Sequence, residues 1–136
     1  MSVANTPVEN LMSTDLLTVT PDTGMETAAN ILLQEDVGSL IVLTDEDKIA
    51  GVLTSTDFVE GVTADHPLHT AAVSEYMTTE VLTVSAAATL HDAAVTMMRD
   101  DIQHLPVENS DGEIIGMLSA TDLTAQLTYM QSSGTD

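Results

Sequence analysis

Two short patterns, sixty-five residues apart, hold the side chains best suited to chemistry: Thr54-x-x-Asp57 and Ser119-x-x-Asp122. In each, a hydroxyl residue stands three positions ahead of an acid, and a glycine (Gly51, Gly116) stands three ahead of the hydroxyl. That spacing has two physical readings. As a helix start, the hydroxyl accepts from the amide three residues on while the acid reaches back, worth about 0.5–2 kcal/mol per helix. As a binding site, the same helix start offers free amides and a partial positive charge to a phosphate. The carboxylate can then accept both hydroxyls of a ribose diol, and the glycine lets backbone approach the ligand. The readings are compatible, so these residues alone do not choose between them.

The elements that must position them are also duplicated. Every position from Val8 to Asp57 maps onto Val73 to Asp122 by adding 65, with no gap. Met12 thus pairs with Met77, Leu17-Thr18-Val19 with Leu82-Thr83-Val84, and Leu40 with Leu105. Self-similarity at a fixed period marks a supersecondary unit that packs against its own copy. Each copy opens with a short polar lead-in (Val8–Met12, Val73–Met77) and an extended piece (Leu16–Val19, Val81–Val84). An amphipathic helix follows. Its apolar face is Met25, Ala28, Ala29, Leu32 and Leu33 in one copy and Leu90, Ala93, Ala94, Met97 and Met98 in the other, at i, i+3, i+4, i+7 and i+8. Thr23 with Glu26, and Thr89 with Asp92, have capping-box spacing at the two starts. Two strands flanking a polar turn come next, and a second helix starts at Thr54 or Ser119. The fold class is α+β, two β-α-β-β-α repeats at 8–60 and 73–128 joined by a linker at 61–72. Halves of this size bury little surface alone, so they are expected to pack on each other.

Composition narrows the function. The chain has 22 acidic residues, two basic ones (Lys48 and Arg99) and a formal net charge of −20. Disorder requires low hydrophobicity as well, and 43% of residues are apolar. At ~1 M salt the Debye length falls to about 3 Å and the self-repulsion is largely screened. The acidic, lysine-poor surface therefore resembles that of proteins from salt-accumulating, archaeal-type microbes. Nucleic acid is excluded as a partner, because duplex binding needs cations for phosphate. With no cysteine, disulfides and thiolate zinc sites are excluded too. No secretory signal and no membrane-length apolar run is expected, which makes a cytoplasmic location the expectation.

The order of elements, with GVLTSTD and GMLSATD at the two strand-to-helix junctions, resembles the cystathionine-β-synthase (CBS) domain. Leu17-Thr18-Val19-Thr20-Pro21 and Gln103-His104-Leu105-Pro106-Val107 add to the likeness. Two in tandem, over about residues 8–128, look like a stand-alone Bateman module. The resemblance implies a disc with a pseudo-two-fold axis and clefts that take adenosine-containing ligands: AMP, ADP, ATP or S-adenosylmethionine. It implies homodimers and regulation of another protein rather than catalysis, with no cofactor required. It carries ligand contact onto Thr18, Ser39, Ile41, Thr54 and Asp57 in the first copy, and onto Thr83, His104, Pro106, Ser119 and Asp122 in the second. His104 can hydrogen-bond a phosphate and charge as it does so. No lysine or arginine stands at these positions, which disfavours a triphosphate and favours AMP or a cationic adenosyl ligand. His66 and His69 in the linker read as a solvated loop. The acidic runs Asp45-Glu46-Asp47 and Asp100-Asp101 read as solvated charge, yet carboxylate clusters also attract Mg²⁺; a divalent-ion or ionic-strength sensor and a plain dimerisation module are the competing readings.

Overall fold

The computed structural model describes residues 3–133, with side-chain surroundings through residue 126. The chain forms two compact units, and their boundaries are not those of the sequence repeat. One unit is contiguous, Leu16–Val81; the other is split, joining the residues up to Asp15 with those from Leu82 onward.

The contiguous unit holds β1 (Thr18–Val19), α1 (Met25–Glu35), β2 (Ser39–Leu43), β3 (Ile49–Thr54) and α2 (Ser55–Thr63). Its sheet runs β1-β2-β3, with β1 parallel to β2 and β2 antiparallel to β3. The split unit repeats the plan with β4 (Val84–Ser85), α3 (Leu90–Asp100), β5 (His104–Glu108), β6 (Ile114–Ser119) and α4 (Ala120–Ser133). This is the α+β architecture that the sequence predicts.

Each core forms where helix and strand periods meet. Alternate strand residues Leu40, Val42 and Leu53 pack with Met25, Ala28 and Leu32 of α1, and Leu105, Val107 and Leu118 pack with Leu90, Ala93 and Met97 of α3. The expected helix faces are one residue too wide, since Leu33 and Met98 are 80% and 82% exposed. Both helices end on an aspartate at positive φ, Asp36 (53°) and Asp101 (52°), a residue type that tolerates the left-handed region.

One helix start differs from the sequence reading. Thr89 and Asp92 form the expected box, but Thr23 and Glu26 do not. The N-cap of α1 is Gly24, and the Thr23 hydroxyl is taken up by Thr20. In the repeat Thr89 is the partner of Gly24, not of Thr23, so the first helix lacks the capping side chain.

Two prolines shift the short parallel strand by one residue between the copies. In the contiguous unit Ile41 donates to the Leu17 carbonyl at 3.2 Å. The matching residue in the other unit is Pro106, which has no N–H. The ladder there extends at its far end instead, where Ala86 donates to Glu108 at 3.0 Å; its counterpart Pro21 has no N–H to do the same. Hence β1 is Thr18–Val19 while β4 is Val84–Ser85, and Thr83 lies just outside a strand.

The lead-in segments explain the unit boundaries. The first packs in the split unit and the second in the contiguous unit, so each serves the other copy. Val8 donates to Ala88 at 2.7 Å and Leu90 to Thr6 at 2.9 Å; Val73 donates to Thr23 at 2.7 Å and Met25 to Ala71 at 2.9 Å. Val8 and Val73 are fully buried. Each segment also adds to a sheet edge: Ser13 exchanges both backbone hydrogen bonds with Met117 of β6, at 2.8 and 2.9 Å. Thr78 does so with Val52 of β3, at 2.9 and 3.0 Å. Residues 61–72, expected as a linker, belong to the contiguous unit. Gly61 is buried against Leu68, and Ala71 is 6% exposed.

The crossing segments lie directly on Gly51 and Gly116. A Cβ on Gly51 would meet the Thr78 carbonyl oxygen at 2.7 Å and Met77 Sδ at 2.9 Å. On Gly116 it would strike the Met12 thioether, with the Ser13 carbonyl farther off at 3.1 Å. Backbone yields less readily than methionine. Gly51→Ala should therefore cost about 1–3 kcal/mol and resist rescue by Met77→Ala. Gly116→Ala should be largely restored by Met12→Ala. Denaturant titration of both double-mutant cycles checks the contrast.

Candidate functional site

The sheet register gathers the predicted residues of each copy at one end of its own sheet. In the contiguous unit Thr18 pairs with Ile41, and Ser39, two residues earlier on β2, pairs with Thr54 at the end of β3. Ser55 opens α2 and donates to the Gly38 carbonyl at 3.0 Å, which holds the helix start against the start of β2. Asp57 follows one turn in. Thr18 is exposed, Ser39, Thr54 and Asp57 are half-buried, and Ile41 is fully buried. Ile41 therefore offers a ligand no surface of its own, and its amide is already given to the Leu17 carbonyl.

The split unit has the same arrangement. His104 pairs with Ser119 and Pro106 with Met117, while Ala120 donates to the Gln103 carbonyl at 2.8 Å. Thr83 precedes β4, half-buried; His104 and Asp122 are exposed, and Pro106 is buried. All ten residues thus fall into two sets of five. The Ser55–Gly38 and Ala120–Gln103 clasps leave no trace in the sequence, because they join backbone groups whose partners depend on strand register.

The helix starts are equivalent in plan and different in bonding. At α2 one oxygen of Asp57, Oδ2, accepts from the Thr54 amide at 2.8 Å and from the Thr54 hydroxyl at 3.3 Å. At α4 the Ser119 hydroxyl accepts from the Asp122 amide at 3.0 Å, and the Asp122 carboxylate has no partner among the described residues. The helix-start reading of the motif therefore holds in both copies, through a carboxylate acceptor at α2 and a hydroxyl acceptor at α4. The glycine of each motif has a structural reason of its own, the crossing segment that covers it.

The basic residues lie elsewhere: Arg99 pairs with its neighbour Asp100 at 3.3 Å, and Lys48 lies in the β2–β3 turn. Among the described residues no three His, Asp or Glu side chains converge to hold a metal ion. His69 sits 3.4 Å from Glu26, both well exposed, and the His66 ring lies 5.6 Å from that of Tyr76. No helix among the described residues is long and apolar enough to cross a membrane.

Comparison with known proteins gives the same duplication. The CBS domain family matches residues 8–64 and 73–129. The CBS domain-containing protein YhcV of Bacillus subtilis is 28% identical over 127 residues, 93% of this chain and 89% of that protein. A homoserine O-acetyltransferase of Methanococcus vannielii is 26% identical over 89% of this chain, which spans only 25% of that protein. Among solved structures, CBSX2 in complex with AMP is 26% identical with a TM-score of 0.80, covering 93% of this chain and 98% of that one.

The two cap chemistries make a stability prediction. Asp57→Ala should cost about 0.5–2 kcal/mol and Asp122→Ala distinctly less; at the second junction it is Ser119→Ala that carries the cost. Thermal unfolding of the three variants at one salt concentration checks the crossed pattern.

Proposed function

The chain belongs to the CBS domain family, and from that premise we propose that it is a regulatory module whose repeats bind an adenosyl ligand, an AMP-like nucleotide or S-adenosylmethionine. One observation carries the reading. Twice in one chain, a hydroxyl and a carboxylate at a helix start are held beside the starts of two strands by the same register. Helix-start amides suit a phosphate, and a carboxylate suits a diol. The CBSX2 relative solved with AMP supports the choice of ligand class. The lack of lysine or arginine at these positions favours one phosphate, or a sulfonium, over three.

The action is regulatory. The enzymes among the relatives are far longer than the matched region, which suits a module that responds to a ligand while chemistry is done elsewhere. A regulated protein partner and homodimerisation belong to the same proposal; Leu33, Val59 and Val62, exposed on α1 and α2, supply apolar surface for a second copy. A cytoplasmic setting of high ionic strength accounts for the net charge of −20.

Calorimetric titration in ~2 M KCl, where charge repulsion is screened, should give saturable binding with AMP or S-adenosylmethionine and weaker binding with ATP. Silence with all of them, in folded protein, would remove the adenosyl reading; a Mg²⁺ response that survives Asp57→Ala and Asp122→Ala would put ion sensing in its place. Raising KCl from ~0.1 to ~2 M should also raise the unfolding midpoint. A flat or falling midpoint argues against the high-salt setting.

A further inference from the structure

Resting on that adenosyl reading, we propose that the two copies are unequal sites. The split unit, with Thr83, His104, Ser119 and Asp122, takes the ligand first, and Thr54 acts as an internal competitor for Asp57 in the contiguous unit.

The carboxylates carry the first half of the argument. A ribose diol brings two O–H donors that are best received on the two oxygens of one carboxylate. Asp57 Oδ2 already accepts twice, from the Thr54 amide and hydroxyl, so a diol must displace the hydroxyl or share its acceptor. Threonine's branched Cβ leaves few χ1 positions to which that hydroxyl can retire. At the other junction Ser119 spends its hydroxyl as an acceptor for the Asp122 amide. That contact secures the helix start without touching the carboxylate, and the Asp122 side chain is exposed and has no partner among the described residues.

The sheet supplies an independent difference in the same direction. The Leu17 carbonyl, next to Thr18, is latched by the Ile41 amide at 3.2 Å, and Leu17 is half-buried against its core. The matching Leu82 carbonyl, next to Thr83, accepts no backbone amide among the described residues, and Pro106 has none to give. Leu82 is 44% exposed. The segment beside the second site is therefore unlatched, and its carbonyl is open to a donor such as the exocyclic amine of adenine. The second difference traces to a single position where the repeat departs from itself, Ile41 against Pro106; the first is a difference in hydroxyl contact, Thr54 donating to the carboxylate and Ser119 accepting from the amide.

The test is calorimetric titration of the whole chain with AMP in ~2 M KCl, comparing wild type with Asp122→Asn, Asp57→Asn and Thr54→Val, each checked for folding by circular dichroism. Wild type should show two unequal phases. Asp122→Asn should abolish the tight one and Asp57→Asn the weak one. Thr54→Val should tighten the weak phase by about tenfold, the scale of one net hydrogen bond. Loss of the tight phase in Asp57→Asn, or equal affinities at both sites, overturns the inequality. Binding unchanged in both asparagine variants overturns it too, placing the ligand away from these carboxylates while sparing the adenosyl reading. No heat from AMP or S-adenosylmethionine in wild type defeats the adenosyl reading itself, and the inequality with it.

Discussion

The pair of backbone hydrogen bonds that each lead-in segment makes with the third strand of a sheet is the constraint on which the other features rest. Met117 and Val52 each give and receive one bond with a residue from the opposite sequence copy. The contact requires a glycine beneath it, because a side chain there would meet Met12 or the Thr78 carbonyl. It buries Val8 and Val73 and fixes β3 and β6 as covered strands rather than open edges. With those strands held, their last residues, Thr54 and Ser119, can end a strand and begin a helix within one peptide.

On that common frame the two copies have drifted into different local chemistry at little cost to the fold. A proline at either end moves a two-residue parallel strand by one position, and each ladder recovers at one end what it loses at the other. The helix caps show the same tolerance: at α2 a carboxylate holds the N-cap amide of Thr54, and at α4 a hydroxyl holds the N3 amide of Asp122. A duplicated sequence therefore does not guarantee duplicated sites, even where every element aligns.

Much of this was legible beforehand. The repeat gave the element order, and the period of apolar residues picked out both cores, because strand alternation and helical spacing are local properties. The ten predicted site residues could be grouped into two sets because the family pattern fixes their register. What could not be read depended on pairing across the chain. The lead-in exchange is silent in sequence, since Val8 and Val73 look alike whichever core receives them. The glycines of the junction motif invited a ligand-based explanation, and the methionine segments that cover them come from the other copy. Leu33 and Met98 sit at helical spacing with the core, yet the packed face is narrower than the pattern. Thr23 has the spacing of a cap, but its hydroxyl is nearer Thr20 than the helix.

The nesting of one unit inside the other also orders events on the ribosome. The contiguous unit, Leu16–Val81, has all of its strands and helices as soon as residue 81 has cleared the exit tunnel. The split unit does not: Val8 and Ser13 are made well before Ala88 and Met117, which receive them. During synthesis at roughly 5–20 residues per second, the amino-terminal arm waits several seconds with an unburied valine and unpaired amides while the inner unit closes. An acidic nascent chain that repels its neighbours on the polysome suits such an interval, since a waiting strand is then kept from pairing with the wrong molecule.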